Sequence, residues 1–208
     1  MKEEIKRKYL MTNEQLNKLL KDHTPFFSIN VLQGYFWENN PDCEFSVKLN
    51  HGSNSLNNFE QNSSFLTLKQ KNPEMPYYIR QKVEFRIPVE QGVRLLKDCK
   101  SGFEKVTYLF NYDSEILEVN KIFKNFNSND TITIVNINFD NVERFESFTP
   151  TFEFKEEVTS EEEFYERCMS VDYPIDGNFI EGKLKDFLHE MEFDSNSPAE
   201  IFVDRINF

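Results

Sequence analysis

Residues 78–88, Tyr78-Ile79-Arg80-Gln81-Lys82-Val83-Glu84-Phe85-Arg86-Ile87-Pro88, set a charged side chain at every second position, with mostly apolar residues between. Side chains of a strand alternate between its two faces, so this segment is predicted to be a strand with one ionic face and one apolar face. A single ionic face on a sheet that fronts water is ordinary. Here the pattern recurs along the chain. Residues 4–10 place Glu4, Lys6 and Lys8 opposite Ile5, Arg7 and Tyr9. Residues 43–49 place Ser46 and Lys48 opposite Phe45, Val47 and Leu49, and residues 65–71 place Thr67, Lys69 and Lys71 opposite Leu66 and Leu68.

Further strands are predicted over 26–37, with Gly34 as a bulge or bend, and over 131–139. A hairpin over 103–110 and 116–123 turns at 111–114 and puts Lys105, Thr107, Glu118 and Asn120 on its polar face. In 131–139, Ile134 interrupts the polar face otherwise set by Asn136 and Asn138, which predicts that one end of that face is drier. The Asn/Ser-rich run 51–64 reads as a flexible hairpin loop.

Helix signals lie between and after the strands. Thr12-x-x-Gln15 is a capping box ahead of Leu16, Leu19 and Leu20, and Val93 and Leu96 mark a crossover helix over 89–97. Ser160-x-x-Glu163 predicts a helix through about Met169. Ile180, Leu184, Phe187, Leu188 and Met191 form the apolar stripe of a helix over 179–191, and the tail 194–208 reads as an added edge strand.

Strands with one polar and one apolar face do not build a sandwich, whose inner faces are apolar. A barrel accommodates them if the polar faces line a hydrated lumen and helices cover the apolar outside. The predicted architecture is α+β: an antiparallel eight-stranded β-barrel with flanking helices, forming a single domain over 1–208. Its lumen gathers Lys6, Lys8, Lys48, Lys69, Lys71, Arg80, Lys82, Arg86 and Lys105 against Glu4, Glu84 and Glu118. So many facing cations call for a polyanion.

Composition narrows the partners. A net charge of −12 disfavours long nucleic acid and anionic membranes, so any anion site is local. The charged N-terminus has no signal-peptide apolar region, and three widely spaced cysteines form no CxxC; a reducing cytoplasm is expected. His23, His51 and His189 share no context suggestive of a metal or nucleophile site. Tyr77, Tyr78 and Trp37 are candidates to stack on a ring at a tunnel mouth, although core packing is the commoner role.

Several segments, in collinear order over about 1–170, resemble the CYTH or triphosphate tunnel metalloenzyme superfamily. Glu4-Ile5-Lys6-Arg7-Lys8 is similar to its Glu-x-Glu-x-Lys hallmark with Lys6 in place of the second glutamate. Gln33-Gly34-Tyr35, Phe65 to Lys69, Arg80 to Pro88, Glu104 to Tyr108 and Glu157-Val158-Thr159 resemble its later strand motifs. On this alignment, 171–208 is a C-terminal helical extension. The resemblance implies a triphosphate held by basic residues, with Mg or Mn on carboxylates driving hydrolysis or cyclisation.

The departures concern those carboxylates. Lys82, Arg86, Asn120, Asn136 and Asn138 stand at positions that the family fills with acids; Ser46 and Thr107 replace two of its arginines. Glu4 and Glu84 remain as catalytic candidates, and Glu4, Glu84 and Glu118 as the residual metal set.

Three functions follow. The first is binding of a triphosphate-bearing or other phosphate-rich ligand, nucleotide or polyphosphate, without two-metal catalysis. The second is a divergent Mg- or Mn-dependent triphosphatase or nucleotide cyclase, and the third an interaction module whose lumen charges pair internally. A monomer or a homodimer is compatible with each.

Overall fold

The computed structural model describes residues 2–36, 43–54, 59–112, 115–124, 130–166, 168–172 and 185. In chain order these form β1 (Lys2–Met11), α1 (Asn13–Asp22), β2 (Phe27–Tyr35), β3 (Cys43–Asn54), β4 (Phe59–Lys71), β5 (Ile79–Ile87) and α2 (Val89–Lys97). There follow β6 (Ser101–Tyr112), β7 (Glu115–Phe123), β8 (Thr131–Phe139), α3 (Val142–Ser147), β9 (Glu156–Glu157) and β10 (Val171–Asp172). The eight long strands run β6-β2-β3-β4-β5-β1-β8-β7, all pairs antiparallel, and β7 pairs back with β6. The sheet is therefore a closed barrel; β9 adds to β1 and β10 to β6.

Register turns the alternation read in single strands into a continuous polar interior. Glu4 lies opposite Arg80, Lys69 opposite Lys82 and Thr67 opposite Glu84. Across the barrel, Asn136 lies between Lys8 and Glu118. The opposite parity faces outward and is covered over most strands, Phe85 of β5 staying exposed. Ile5, Tyr9, Met11, Val119, Val135 and Ile137 pack with Leu16 and Leu19 of α1 and Phe145 of α3. Leu32, Val47 and Leu49 pack with Leu96 of α2. Each fully buried side chain of this size stabilises by roughly 1.5–3 kcal/mol, so the helices are part of what keeps the barrel closed.

The capping box at α1 forms as the sequence predicts: Thr12 Oγ1 accepts from Gln15 N at 3.1 Å, and Gln15 Oε1 accepts from Thr12 N at 2.8 Å. The dry end predicted from Ile134 is a third apolar cluster inside the barrel. Leu10, Tyr35, Phe103, Ile122, Ile134 and Val158 fill it and plug that end of the lumen.

Four local readings change. The run 51–64 is not a loop at its ends. β3 extends to Asn54 and β4 begins at Phe59, because β3 hydrogen-bonds to β2 on one side and to β4 on the other throughout this stretch. Polar composition lowers strand propensity, but two flanking strands satisfy the backbone regardless. Gly34 is no bulge; it pairs in register with Val47 and Gly102. It is glycine because a Cβ would lie 2.7 Å from Cys99 Sγ and 2.8 Å from Leu96 Cδ2. The helix predicted from Ser160 is a three-residue 3-10 turn over Glu162–Phe164, with no side-chain cap. Helix α3, capped by Asn141 accepting from Arg144 N, was not anticipated. Trp37, the tip 113–114 of the β6–β7 hairpin, the helix over 179–191 apart from Lys185, and the tail lie outside the described residues. Among the described residues no helix is long and apolar enough to cross a membrane.

Candidate functional site

Strand β1 sends Glu4, Lys6 and Lys8 into the lumen. Glu4 pairs with Lys6 at 3.1 Å and with Lys69 of β4 at 3.3 Å. Burial pushes the Glu4 carboxyl up, but Lys6, Lys69 and Lys82 together hold it well below the usual carboxylate range. Burial likewise opposes charge on Lys69, yet Glu4, Glu44 and Glu166 outweigh it and raise its pKa. On β5, Lys82 reaches Glu84 at 3.0 Å, Lys48 of β3 reaches the same carboxylate at 4.0 Å, and Thr67 donates to it at 2.9 Å. Despite partial burial, Lys48 and Lys82 keep the Glu84 pKa low. Burial and the charges of Lys48 and Lys69 depress that of Lys82.

Lys8 differs. It is 8% exposed, its Nζ donates to the Phe164 carbonyl at 3.3 Å, and it stands 4.8 Å from the centre of the Tyr165 ring. Among the described residues no carboxylate is within ion-pair distance of it. Burial, then repulsion from Lys6, lowers its pKa to about 7, with the more distant Glu166 pulling the other way.

The structure brings together most of the cations chosen from sequence. Lys6, Lys8, Lys69 and Arg80 line a narrow cavity of about 30 Å³ beside Glu4, Glu44, Tyr77, Tyr78 and Glu166. Lys48 and Lys105 line a roomier one of about 150 Å³ with Glu118, Asn50 and Asn138. Lys71 sits at the rim, 3.5 Å from Glu162. Arg86 is exposed near the end of β5 and lines neither cavity.

Two acids, Glu44 and Glu166, escaped the sequence reading and change the lumen's balance, and Glu162 joins them at the rim. Glu44, 5% exposed, pairs with Arg80 at 3.5 Å. It shares the parity of Ser46 and Lys48 on β3, a signal available in the sequence. Glu162 and Glu166 come from the segment read as a surface helix. Glu166 ion-pairs with Lys105, and Tyr165 lays its ring 4.0 Å from the Arg80 guanidinium. These tertiary contacts override the local helix signal, since a cap contributes only about 1 kcal/mol. The six cations lining the two cavities thus face four carboxylates, Glu4, Glu44, Glu118 and Glu166. The imbalance is smaller than the sequence suggests.

Asn120 and Asn136, which the resemblance sets against acids, have a definite role. Asn120 Nδ2 donates to Glu118 Oε1 at 2.8 Å, and Asn136 Nδ2 donates to the same oxygen at 3.2 Å. Thr107 donates to Asn120 Oδ1 at 2.8 Å. Burial raises the Glu118 pKa, but Lys6, Lys105 and the Asn120 amide bring it below its ordinary value.

This donor set does not fit a divalent cation. Mg or Mn asks for several free carboxylate oxygens around one point. Here both Glu4 oxygens are committed to lysines, Glu84 Oε2 to two lysines and a threonine, and Glu118 Oε1 to two amide N–H groups. Among the described residues no group of three acidic, His or Cys side chains is placed to hold a metal. Glu44 Oε1 and Asn136 Oδ1 are buried without a hydrogen-bond partner, and both residues line the narrow cavity. That space suits one ordered water.

The closed eight-stranded antiparallel barrel with a charged lumen and outer helices is consistent with the triphosphate tunnel fold. The chain superposes on the crystal structure of the inorganic triphosphatase NE1496 with a TM-score of 0.50, at 20% identity, over 84% of this chain and 98% of that one. A second crystal structure, of the hypothetical protein NE1496, gives a TM-score of 0.51 at 20% identity over 82% and 99% of the two chains. PH1819 from Pyrococcus horikoshii OT3 gives 0.49 at 12% identity, over 90% of this chain and 89% of that one. At these identities the likeness is one of fold. No family model matches the sequence, and no curated protein does.

Proposed function

We propose that this chain binds a triphosphate-bearing or other phosphate-rich ligand in its lumen through side-chain cations, without metal catalysis. The observation that carries the reading is Lys8: a buried amine in a space that Lys6, Lys69 and Arg80 share with Glu4, Glu44 and Glu166, with no carboxylate within ion-pair distance of it among the described residues. A polyanion would supply the missing partner, and charge-assisted hydrogen bonds to several lysines would hold it. The fold shared with an inorganic triphosphatase supports the ligand class. The donor set around Glu118 argues against the metal chemistry.

A thermal-shift panel tests the ligand class. Tripolyphosphate and nucleoside triphosphates in EDTA are expected to raise the melting temperature, and orthophosphate far less. No shift with any polyphosphate would end the proposal.

The same fold supports a rival, enzymatic reading, in which Glu4 and Glu84 exchange their lysine partners for a metal brought by substrate. That reading expects Mg-dependent phosphate release that Glu4→Gln and Glu84→Gln abolish. Persistent release in both variants would remove those residues from catalysis.

The depressed Lys8 pKa gives a pH prediction of definite sign. The folded protein carries fewer protons on Lys8 than the unfolded chain between about 7 and the ordinary lysine range, so this group's contribution to stability rises with pH across that window. Ligand binding runs the other way, because a polyanion favours the charged form. Affinity for tripolyphosphate should rise as pH falls from 8.5 to 6. Titration at pH 8 should take up more protons in the parent than in Lys8→Met, read from the buffer dependence of the binding heat. Equal proton uptake in the two proteins would mean Lys8 does not meet the ligand.

A further inference from the structure

The segment after β9 enters the barrel instead of lying on it, and its side chains occupy the places a polyanion would take. Glu166 ion-pairs with Lys105, the Phe164 carbonyl accepts from Lys8 Nζ at 3.3 Å, and Tyr165 stacks on Arg80 at 4.0 Å. Lys105, then Lys69, Lys48 and Lys8, hold the buried Glu166 carboxyl well below the usual range, so it is an anion at any ordinary pH. The narrow cavity left beside it has room for about one water.

We propose that the segment carrying Tyr165 and Glu166 is an internal competitor: Glu166 holds Lys105 as a substitute anion, and a phosphate-rich ligand binds by displacing it. This rests on the ligand-binding reading above. The segment is a loop held at both ends: Thr159 Oγ1 and Val158 are fixed to Lys8 of β1 at 3.0 and 2.8 Å, and β10 pairs with β6, while between them the 3-10 turn, the Cys168 and Met169 amides on the Tyr165 carbonyl, the packing of Phe164 and Met169, and the lumen side chains hold it. Glu166 lies between these two anchors, so its displacement is a movement within the loop that leaves β9, β10 and the barrel strands paired. Self-occupation lowers apparent affinity by the fraction of molecules with the arm out.

The test compares tripolyphosphate binding by the parent, Glu166→Gln and the rim control Glu162→Gln in calorimetry, with hydrogen exchange of the parent with and without tripolyphosphate. Glu166→Gln is expected to bind about tenfold more tightly, Glu162→Gln within about twofold of the parent. Tripolyphosphate is expected to speed exchange at the Tyr165, Cys168 and Met169 amides while slowing it in the barrel strands. Glu166→Ala serves as a second removal of the carboxylate if the Gln variant folds poorly. Binding by the parent with equal or weaker binding by both Glu166 variants, or with slower exchange over 160–169, overturns the competitor and leaves the ligand-binding reading intact. Absence of binding in the parent and in both Glu166 variants overturns both.

Discussion

Lys105→Ala is expected to be the most damaging single change in the lumen, lowering stability by about 3 kcal/mol, because it leaves the Glu166 carboxylate in the barrel without its ion-pair partner. Lys105 is 5% exposed and the Glu166 side chain 13%, so solvent softens the loss only in part. Removing both members should recover much of the stability, since the isolated charge is then gone; a double-mutant cycle in urea measures the coupling. Tripolyphosphate affinity should fall at least about tenfold in Lys105→Ala, as one charge-assisted contact is worth about 1.5–3 kcal/mol. Lys18→Ala, on the exposed face of α1, should leave both quantities unchanged. If Lys105→Ala matches the parent in urea midpoint and in affinity, Lys105 neither anchors Glu166 nor meets the ligand.

Gly92→Ala is expected to cost about 3 kcal/mol through the contact of α2 with the barrel wall. A Cβ at position 92 would fall 1.9 Å from Ser64 Oγ, 2.9 Å from Ser64 Cβ and 2.8 Å from Leu49 Cδ2. Rotating the serine cannot clear its own Cβ, and its hydroxyl is spent on the Lys48 carbonyl at 3.0 Å. Helix α2 must then lift, exposing Leu96 and the Leu32, Val47 and Leu49 surface beneath it. Gln91→Ala, one residue away and exposed, is the control and should be near neutral. Equal urea midpoints for Gly92→Ala and the parent would show that α2 does not seat as described.

What sequence made legible followed from period two. The alternation in β1, β3, β4 and β5 identified which side chains face inward, and the mixed-face argument demanded a barrel with its apolar side out. Local chemistry also read true where it was self-contained, as at Thr12 and Gln15. It failed where tertiary contacts decide. Ser160 and Glu163 carry a helix signal, but Tyr165 and Glu166 gain more from Arg80 and Lys105 than a short helix would return. The Asn/Ser run beyond His51 has loop composition, yet its described ends are sheet, 51–53 between β2 and β4 and 59–63 against β3. Gly34 looked like a bend because single-strand reasoning cannot see Cys99 and Leu96 pressing on its backbone. The same limit hid Glu166, whereas Glu44 was legible from its parity with Ser46 and Lys48 and was passed over; together they supply the internal pairing that reduces the lumen's apparent excess of cations. Asn120 and Asn136 were visible as lost acids; that their amides would converge on one Glu118 oxygen required the register of β7 against β8.

Whether the tunnel is a binding site is tested most directly by calorimetric titration of tripolyphosphate in EDTA, with phosphate release followed in the same samples and again with Mg. The predicted result is saturable binding of one tripolyphosphate per chain without metal, weakened in Lys8→Met and Lys105→Ala, with no phosphate released. Absence of binding, or Mg-dependent turnover lost in Glu4→Gln, would contradict it.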